Sequence, residues 1–270
     1  MSIALTEVEE RAGVAIVTLY NPPRGYLNQA QVQELHRVMD DLESDDAIRA
    51  VVFTGGVPGV FIRHYDVAEI LGAAEAVKAS GLDADGLMDA GRRGNPISQL
   101  FDRVDRLPKP TIAAINGFCQ GGGFEFALCC DIRIAERGDY RIGLPETNLG
   151  IFPGAGGTQR LPRVIGEARA LELILRGRTV DPEEAERLGL VHHVTRGTAL
   201  DAALDMARDF TSKPARGLAD AKALVKSATQ TPLDDGTARE RGLFSRLISE
   251  DDAAIAAMEA FLKTGEDINR

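Results

Sequence analysis

Two glutamates, Glu125 and Glu146, stand where a carboxyl group could do chemistry. Glu125 follows three consecutive glycines, Gly121, Gly122 and Gly123, at the predicted start of a short apolar helix over 124–130. An apolar run at 111–116 leads into the glycines and reads as a buried strand. A strand, a glycine turn and a helix start leave the first helical N–H groups unpaired and facing the turn. The helix dipole adds partial positive charge there, and glycine lets another group come close to the backbone. Such a turn can hold a phosphate or an oxygen that gains charge during a reaction. A phosphate loop needs Gly-Lys-Ser/Thr after the glycines. Here Gly123 is followed by Phe124 and Glu125, and the spacing also misses the dinucleotide pattern. A neutral carbonyl that becomes an enolate, beside a carboxylate that moves protons, suits these residue types better. The plainer alternative is a tight turn in which Glu125 only caps its helix.

Glu146 lies in a proline- and glycine-rich stretch, 144–157, that reads as a long loop inside a compact domain. Such loops carry function more often than framework. If the fold brings Glu125 and Glu146 together, they form a pair suited to acid and base work at adjacent carbons. A partly apolar site would hold one of them protonated to serve as the acid. If it does not, Glu146 is a solvated loop residue.

The elements that must position these groups follow from periodicity. Residues 4–9 and 14–20 read as two strands joined by a hairpin turn at 11–13. Asn28 can cap a helix over 29–43, with Val32, Leu35, Met39 and Leu42 on one face. Strands are predicted at 49–54 and 59–62, and Asp66 with Glu69 has capping-box spacing for a new helix. Residues 72–96 read as a mobile helical excursion bordering the site. A helix ends at Pro108, strands follow at 131–135 and 140–143, and a last strand is predicted at 189–194. Helices are predicted over 198–212, 216–229 and 234–266. The division expected is a catalytic core over 1–197 and a helical oligomerisation region over 198–270.

Composition narrows the function class. The 270-residue chain carries a net charge of −10 and has no Trp. That balance argues against an extended nucleic-acid footprint and against an anionic membrane surface. No apolar run approaches the ~20 residues of a membrane span, and no signal-peptide segment is evident at the N-terminus. Cys119, Cys129 and Cys130 all sit in the apolar central stretch, and read as buried free thiols of a cytoplasmic protein.

The stretch 116–135 closely resembles the signature of the crotonase (enoyl-CoA hydratase/isomerase) family. Residues 144–161 resemble that family's second motif, and 61–67, Phe-Ile-Arg-His-Tyr-Asp-Val, its first oxyanion segment. The resemblance runs in order from about 5 to 265. It implies an α/β fold, a crotonase-like spiral of β-β-α repeats with a C-terminal helical trimerisation region. It implies a homotrimer, or a hexamer made as a dimer of trimers. The substrate implied is an acyl-CoA thioester, with no cofactor beyond the CoA of the substrate and no metal.

Position by position, the resemblance makes the backbone N–H groups of Arg63 and Gly122 the oxyanion donors. Glu125 becomes mainly the base toward water, and Glu146 mainly the group that protonates the α-carbon. Arg24 and Tyr26 fall where relatives contact the CoA nucleotide. His64, Tyr65, Asp66 and Gly121 are expected to border the substrate. The family usually has Ala-Gly where this chain has Arg63-His64. A backbone donor survives a change of side chain, but bulky groups beside the thioester reshape the pocket, and His64 can also move protons near neutral pH. The reaction implied is hydration of a 2-enoyl-CoA. The alternative, motivated by Arg63-His64, is a sister reaction on the same scaffold: an acyl-CoA hydrolase, isomerase, decarboxylase or C–C hydrolase acting on an acyl-CoA or a CoA-free diketone. A non-catalytic, RNA-binding role is disfavoured by the acidic charge. His192 and His193 are expected to be structural.

Overall fold

The computed structural model describes residues 4–265. Strands β1 (Thr6–Arg11) and β2 (Val14–Leu19) form the expected antiparallel hairpin. Helix α1 (Gln29–Ser44) follows, with the Asn28 side chain accepting from the Gln31 N–H and the predicted face buried. Next come β3 (Ala50–Gly55) and β4 (Val60–Ile62). The excursion holds two helices, α2 (Val67–Ser80) and α3 (Ala84–Arg93), neither of which buries a residue; α4 (Pro96–Arg106) returns to the core.

Strand β5 (Thr111–Ile115) is followed by β6 (Phe118–Gln120) and α5 (Gly122–Cys129). The glycine turn therefore differs from the sequence expectation in two ways. A three-residue strand, too short to show a period, separates the apolar run from the glycines. The helix also begins two residues early, at Gly122, so this residue's N–H is one of the unpaired first-turn donors.

Strands β7 (Ile132–Glu136) and β8 (Ile142–Gly143) lead to a single 3-10 turn, Glu146–Leu149, within the predicted loop. Then come α6 (Gly157–Ile165), α7 (Glu167–Leu175), β9 (Thr179–Val180) and α8 (Pro182–Leu188). The last strand, β10, is shorter than expected, His193–Thr195. The chain ends in α9 (Ala199–Thr211), α10 (Ala215–Ser227), α11 (Leu233–Glu250) and α12 (Asp252–Thr264). The single helix expected over 234–266 is thus two. Asp251 is extended and its side chain caps α12 by accepting from the Ala254 N–H, which breaks the run; residue 266 lies outside the described residues.

Successive turns of chain each give one strand to each of two sheets. The larger sheet has the order β1-β2-β3-β5-β7-β10 and the smaller β4-β6-β8-β9. Within each turn a strand of the first sheet, a strand of the second and helical chain recur, as β3-β4-α2, β5-β6-α5 and β7-β8-α6. This is the expected spiral of β-β-α repeats. The central strands pair in parallel, so both faces of the larger sheet are covered, as such sheets require. Alternate residues face opposite layers. Val17, Phe53 and Ile115 face the main core. There the Phe126 ring meets Phe53 edge-on at 5.0 Å. Val14, Ile16, Val52 and Ile112 pack with Ala199, Ala203 and Ala207 of α9 on the other side.

The repeat brings the ends of β4 and β6, and with them the 63–66 segment and the start of α5, side by side. Gly123 makes that approach possible. A Cβ there would lie 2.1 Å from the Ile62 carbonyl oxygen, so only glycine lets α5 seat against β4.

Candidate active site

Helix α5 is buried throughout, and Glu125 on its first turn is only 3 % exposed. Two backbone donors reach its carboxyl from another element. The Ala155 and Gly157 N–H groups both donate to Oε1 at 2.8 Å. Gly157 is the first residue of α6, so one of these amides is an unpaired helix-start donor. With Oε1 doubly occupied, Oε2 is left for chemistry. Burial raises the Glu125 carboxyl above its ordinary range, and the Gly157 and Ala155 amides and then the Arg160 charge pull it back. The group is therefore fixed in place, with burial raising its proton affinity and the two amides and Arg160 restraining that rise.

Glu146 opens the 3-10 turn and approaches the glycine turn from the other side. A Cβ on Gly121 would fall 3.1 Å from Glu146 Oε1 and 3.6 Å from His64 Cβ. Glu146 Oε2 is buried with no hydrogen-bond partner among the described residues. Burial pushes its carboxyl up to about 7; its own backbone amide opposes that, and the nearby charge of Glu125 adds to it. The pair is thus asymmetric. Burial raises both carboxyls, but Glu125 has two fixed donors that oppose the rise while Glu146 Oε2 has no partner among the described residues.

The amides around Gly122 differ from the sequence expectation. The Arg63 N–H donates to the Gly25 carbonyl at 2.8 Å, so it is engaged elsewhere. The cause is local pairing. Leu27 forms a parallel bridge with Tyr65, its N–H donating to the His64 carbonyl at 2.9 Å and its carbonyl accepting from the Asp66 N–H at 2.8 Å. In that geometry the Tyr65 N–H faces away from Leu27. Tyr65 lies beside Gly122: a Cβ on Gly122 would fall 3.4 Å from the Tyr65 nitrogen and 3.1 Å from Tyr65 Cβ. Neither the Gly122 nor the Tyr65 N–H has an acceptor among the described residues. Two unpaired amides from segments far apart in the chain therefore lie side by side, next to both glutamates.

The other expected residues fall around this point. The Arg63 side chain leaves the turn and lies over the Phe118 ring, 4.4 Å from its centroid. His64 stacks on Tyr26 with ring centroids 4.2 Å apart, and its Nδ1 is 2.7 Å from the Tyr65 carbonyl. Arg24 is exposed, 3.3 Å from the Tyr26 hydroxyl, with no carboxylate partner among the described residues. The Asp66 side chain caps α2 by accepting from the Ala68 N–H. The Tyr65 hydroxyl donates to Glu69 Oε2 at 2.7 Å, and the same oxygen accepts from the Gln29 N–H at 2.8 Å. These bonds tie the 63–66 segment to both α1 and α2. His192 is structural, as expected: its Nδ1 accepts from the Arg133 N–H at 3.1 Å.

Sequence reasoning missed the Tyr65 amide and the two amides that hold Glu125. The Gly156-Gly157 pair before a helix is the same signal that marked Gly121 and Gly122, and it was there to be read. The Tyr65 amide depends on which strand Leu27 pairs with, and no local pattern carries that.

Residues 9–267 match a protein-family model described as Enoyl-CoA hydratase/isomerase. The chain is 34% identical over 260 residues to a short-chain-enoyl-CoA hydratase of Clostridium acetobutylicum, covering 95% of this chain and 94% of that one. It is 39% identical over 199 residues to the fatty acid oxidation complex subunit alpha of Idiomarina loihiensis. That match covers 72% of this chain but spans only 27% of the larger protein. Among solved structures, an enoyl-CoA hydratase from Bacillus anthracis superposes with a TM-score of 0.83 at 31% identity, covering 97% of each chain.

Proposed function

This chain belongs to the enoyl-CoA hydratase/isomerase family, and from that premise we propose that it hydrates a 2-enoyl-CoA thioester to a 3-hydroxyacyl-CoA. The observation that carries this reading is the pairing of two unpaired amides with two unlike carboxyl groups. The thioester oxygen accepts from the Gly122 and Tyr65 N–H groups. As water adds, negative charge moves onto that oxygen, where pre-set donors stabilise it most. Glu125, ionised, takes a proton from the water, whose oxygen bonds to C3. Glu146, protonated, gives a proton to C2. The enolate is thereby converted to the 3-hydroxyacyl thioester, one water has been added in all, and loss of a proton from Glu125 and uptake of one by Glu146 through solvent reset the pair. His64, Tyr26 and Arg24 line the approach, where Arg24 is free to pair with a phosphate of CoA.

The acid role sets a pH dependence. Because the Glu146 carboxyl is pushed up to about 7, it holds its proton below that pH and loses it above. On this reading kcat/KM falls as pH rises through about 7, and the residual activity of Glu146→Gln lacks that limb. A wild-type profile flat from pH 6 to 9 would remove Glu146 from the acid role. The reaction itself is tested by product analysis over a panel of enoyl-CoA thioesters. Formation of 3-hydroxyacyl-CoA supports hydration; release of free CoA, loss of CO₂ or a shifted double bond supports a sister reaction instead.

One observation favours keeping that second reading. His64 stands where the family resemblance leads one to expect glycine, and its Cβ lies against the same turn as Glu146. A wild-type preference for a non-hydratase product that His64→Gly converts to hydration would favour the sister reaction.

The proposal includes a cytoplasmic homotrimer or dimer of trimers. In the isolated chain Val225, Leu233, Phe244 and Leu262 are 60–79% exposed along α10, α11 and α12, a load of apolar surface that assembly would cover. A mass by light scattering equal to one chain, at micromolar concentration, would refute the assembly. No helix among the described residues is long and apolar enough to cross a membrane.

A further inference from the structure

Glu125 owes its placement to the 155–157 turn, and that turn is gripped from behind. Arg160, on the first turn of α6, donates from Nη1 to the Ala155 carbonyl at 3.1 Å. Its guanidinium lies directly against Gly156. A Cβ there would fall 2.1 Å from Nη1, so the guanidinium would have to move aside, and Gly156 has φ +108°, where a side chain is strained. The far side of the guanidinium is held by α4: Nη2 donates to Asp102 Oδ1 at 2.9 Å, and Nε lies 3.7 Å from Asp105 Oδ2. The Arg160 side chain is only 17% exposed. Asp105 is in turn paired with Lys226 of α10. Lys226 also lies 3.1 Å from Asp131 and donates to the Cys129 carbonyl at the end of α5. Arg160 is thus clamped between the turn that holds Glu125 and a charged layer built from α4 and α10.

We infer that Arg160 is a positioning residue for Glu125: it fixes the Ala155 carbonyl, and so aims the two amides that hold the carboxyl. The inference rests on the proposed role of Glu125 as base. Charged and titratable groups face Glu125 from each element around it. These are Arg160 from α6, Glu146 from the 3-10 turn, and the Cys129 thiol of α5, which donates to the Glu125 carbonyl at 3.2 Å. Arg160 is the cation among them. Removing it takes away an attraction for the carboxylate and slackens two donors, and both changes raise the proton affinity of Glu125.

The test uses Arg160→Gln, Arg160→Lys and Asp102→Asn in the full chain. Each is measured for kcat, KM and the pH profile of kcat/KM with a short 2-enoyl-CoA. The Glu125 carboxyl is also titrated by ¹³C NMR, assigned by its loss in Glu125→Gln. For Arg160→Gln, kcat is expected to fall about 10²-fold with KM changed less than about threefold, as for a small misplacement of a catalytic group. The acidic limb of its profile and the NMR titration both move to higher pH. Arg160→Lys returns the limb toward the wild-type pH, because the charge is restored, but recovers only part of kcat, because the planar fork is not. A merely structural ion pair would lower the melting temperature and leave profile and titration in place; that result overturns the inference. Should Arg160→Gln fail to fold, Arg160→Lys and Asp102→Asn decide it by the same criteria. If Glu125→Gln stays active, the base assignment falls, while the NMR titration still decides whether Arg160 governs the Glu125 carboxyl.

Discussion

Glutamine at position 125 is expected to slow hydration of a short 2-enoyl-CoA by about 10³-fold or more, and glutamine at 146 by about 10²–10³-fold. Each loss is worth about 3–4 kcal/mol of barrier or more. The geometry makes these clean replacements. Glu125 Oε1 accepts two N–H bonds, from Ala155 and Gly157. A glutamine amide oxygen can accept both, which turns its NH₂ group outward, where it cannot take a proton from water. Substrate binding should then change only a few-fold, because the amides proposed to hold the thioester are untouched.

Stability should move the other way. Glu146 has a folded-state carboxyl pushed up to about 7 from an ordinary value of 4.5. Its ionisation therefore costs the folded state nothing below about pH 4.5, progressively more between there and 7, and a constant amount above. Glu146→Gln should gain up to about 3 kcal/mol at pH 8 and almost nothing at pH 4. Thermal melts at the two pH values check this, and a variant that loses both activity and stability at pH 8 would mean the carboxylate has a partner not accounted for. Full activity in both glutamine variants would end the hydratase reading.

Proline at 122 is expected to lower kcat by about 10²–10³-fold while the chain still folds. Gly122 is the first residue of α5, and its φ is not in the left-handed region. Proline is tolerated at that position because it donates no bond within the helix. It removes the N–H proposed to face the thioester oxygen. The new Cβ meets Tyr65 Cβ at 3.1 Å, so Tyr65 must shift by a few tenths of an ångström. Gly122→Ala introduces the same contact but keeps the N–H, and separates the two effects. If proline and alanine cost the same, the loss is steric and the amide has no catalytic share. If both are near wild type, Gly122 is not a donor. Arg63→Pro is the contrasting change. Its N–H holds the Gly25 carbonyl, so that variant should lose stability rather than a transition-state contact.

The glycine turn and its glutamate were legible in the sequence because the signal is local. Gly121, Gly122 and Gly123 sit between an apolar strand and an apolar helix, and a helix start must leave donors unpaired. The Val32, Leu35, Met39 and Leu42 face of α1 was equally legible, from period alone. The short strands β6 and β9 were harder, since two or three residues show no period and exist only through their partners, whereas β8 falls inside the strand expected at 140–143.

By itself the sequence determined the family, the spiral of β-β-α repeats, and the types of group available: two carboxyls and a turn with free amides. The tertiary structure decided which amide joins Gly122, because pairing of Leu27 with Tyr65 turns one N–H toward the site while the Arg63 N–H goes to Gly25. It also decided that the two carboxyls differ. A side chain's proton affinity depends on how much water, charge and hydrogen bonding surround it, and for Glu125 those surroundings come from the 155–157 turn, α6 and the 3-10 turn, elements some twenty to forty positions away in the chain.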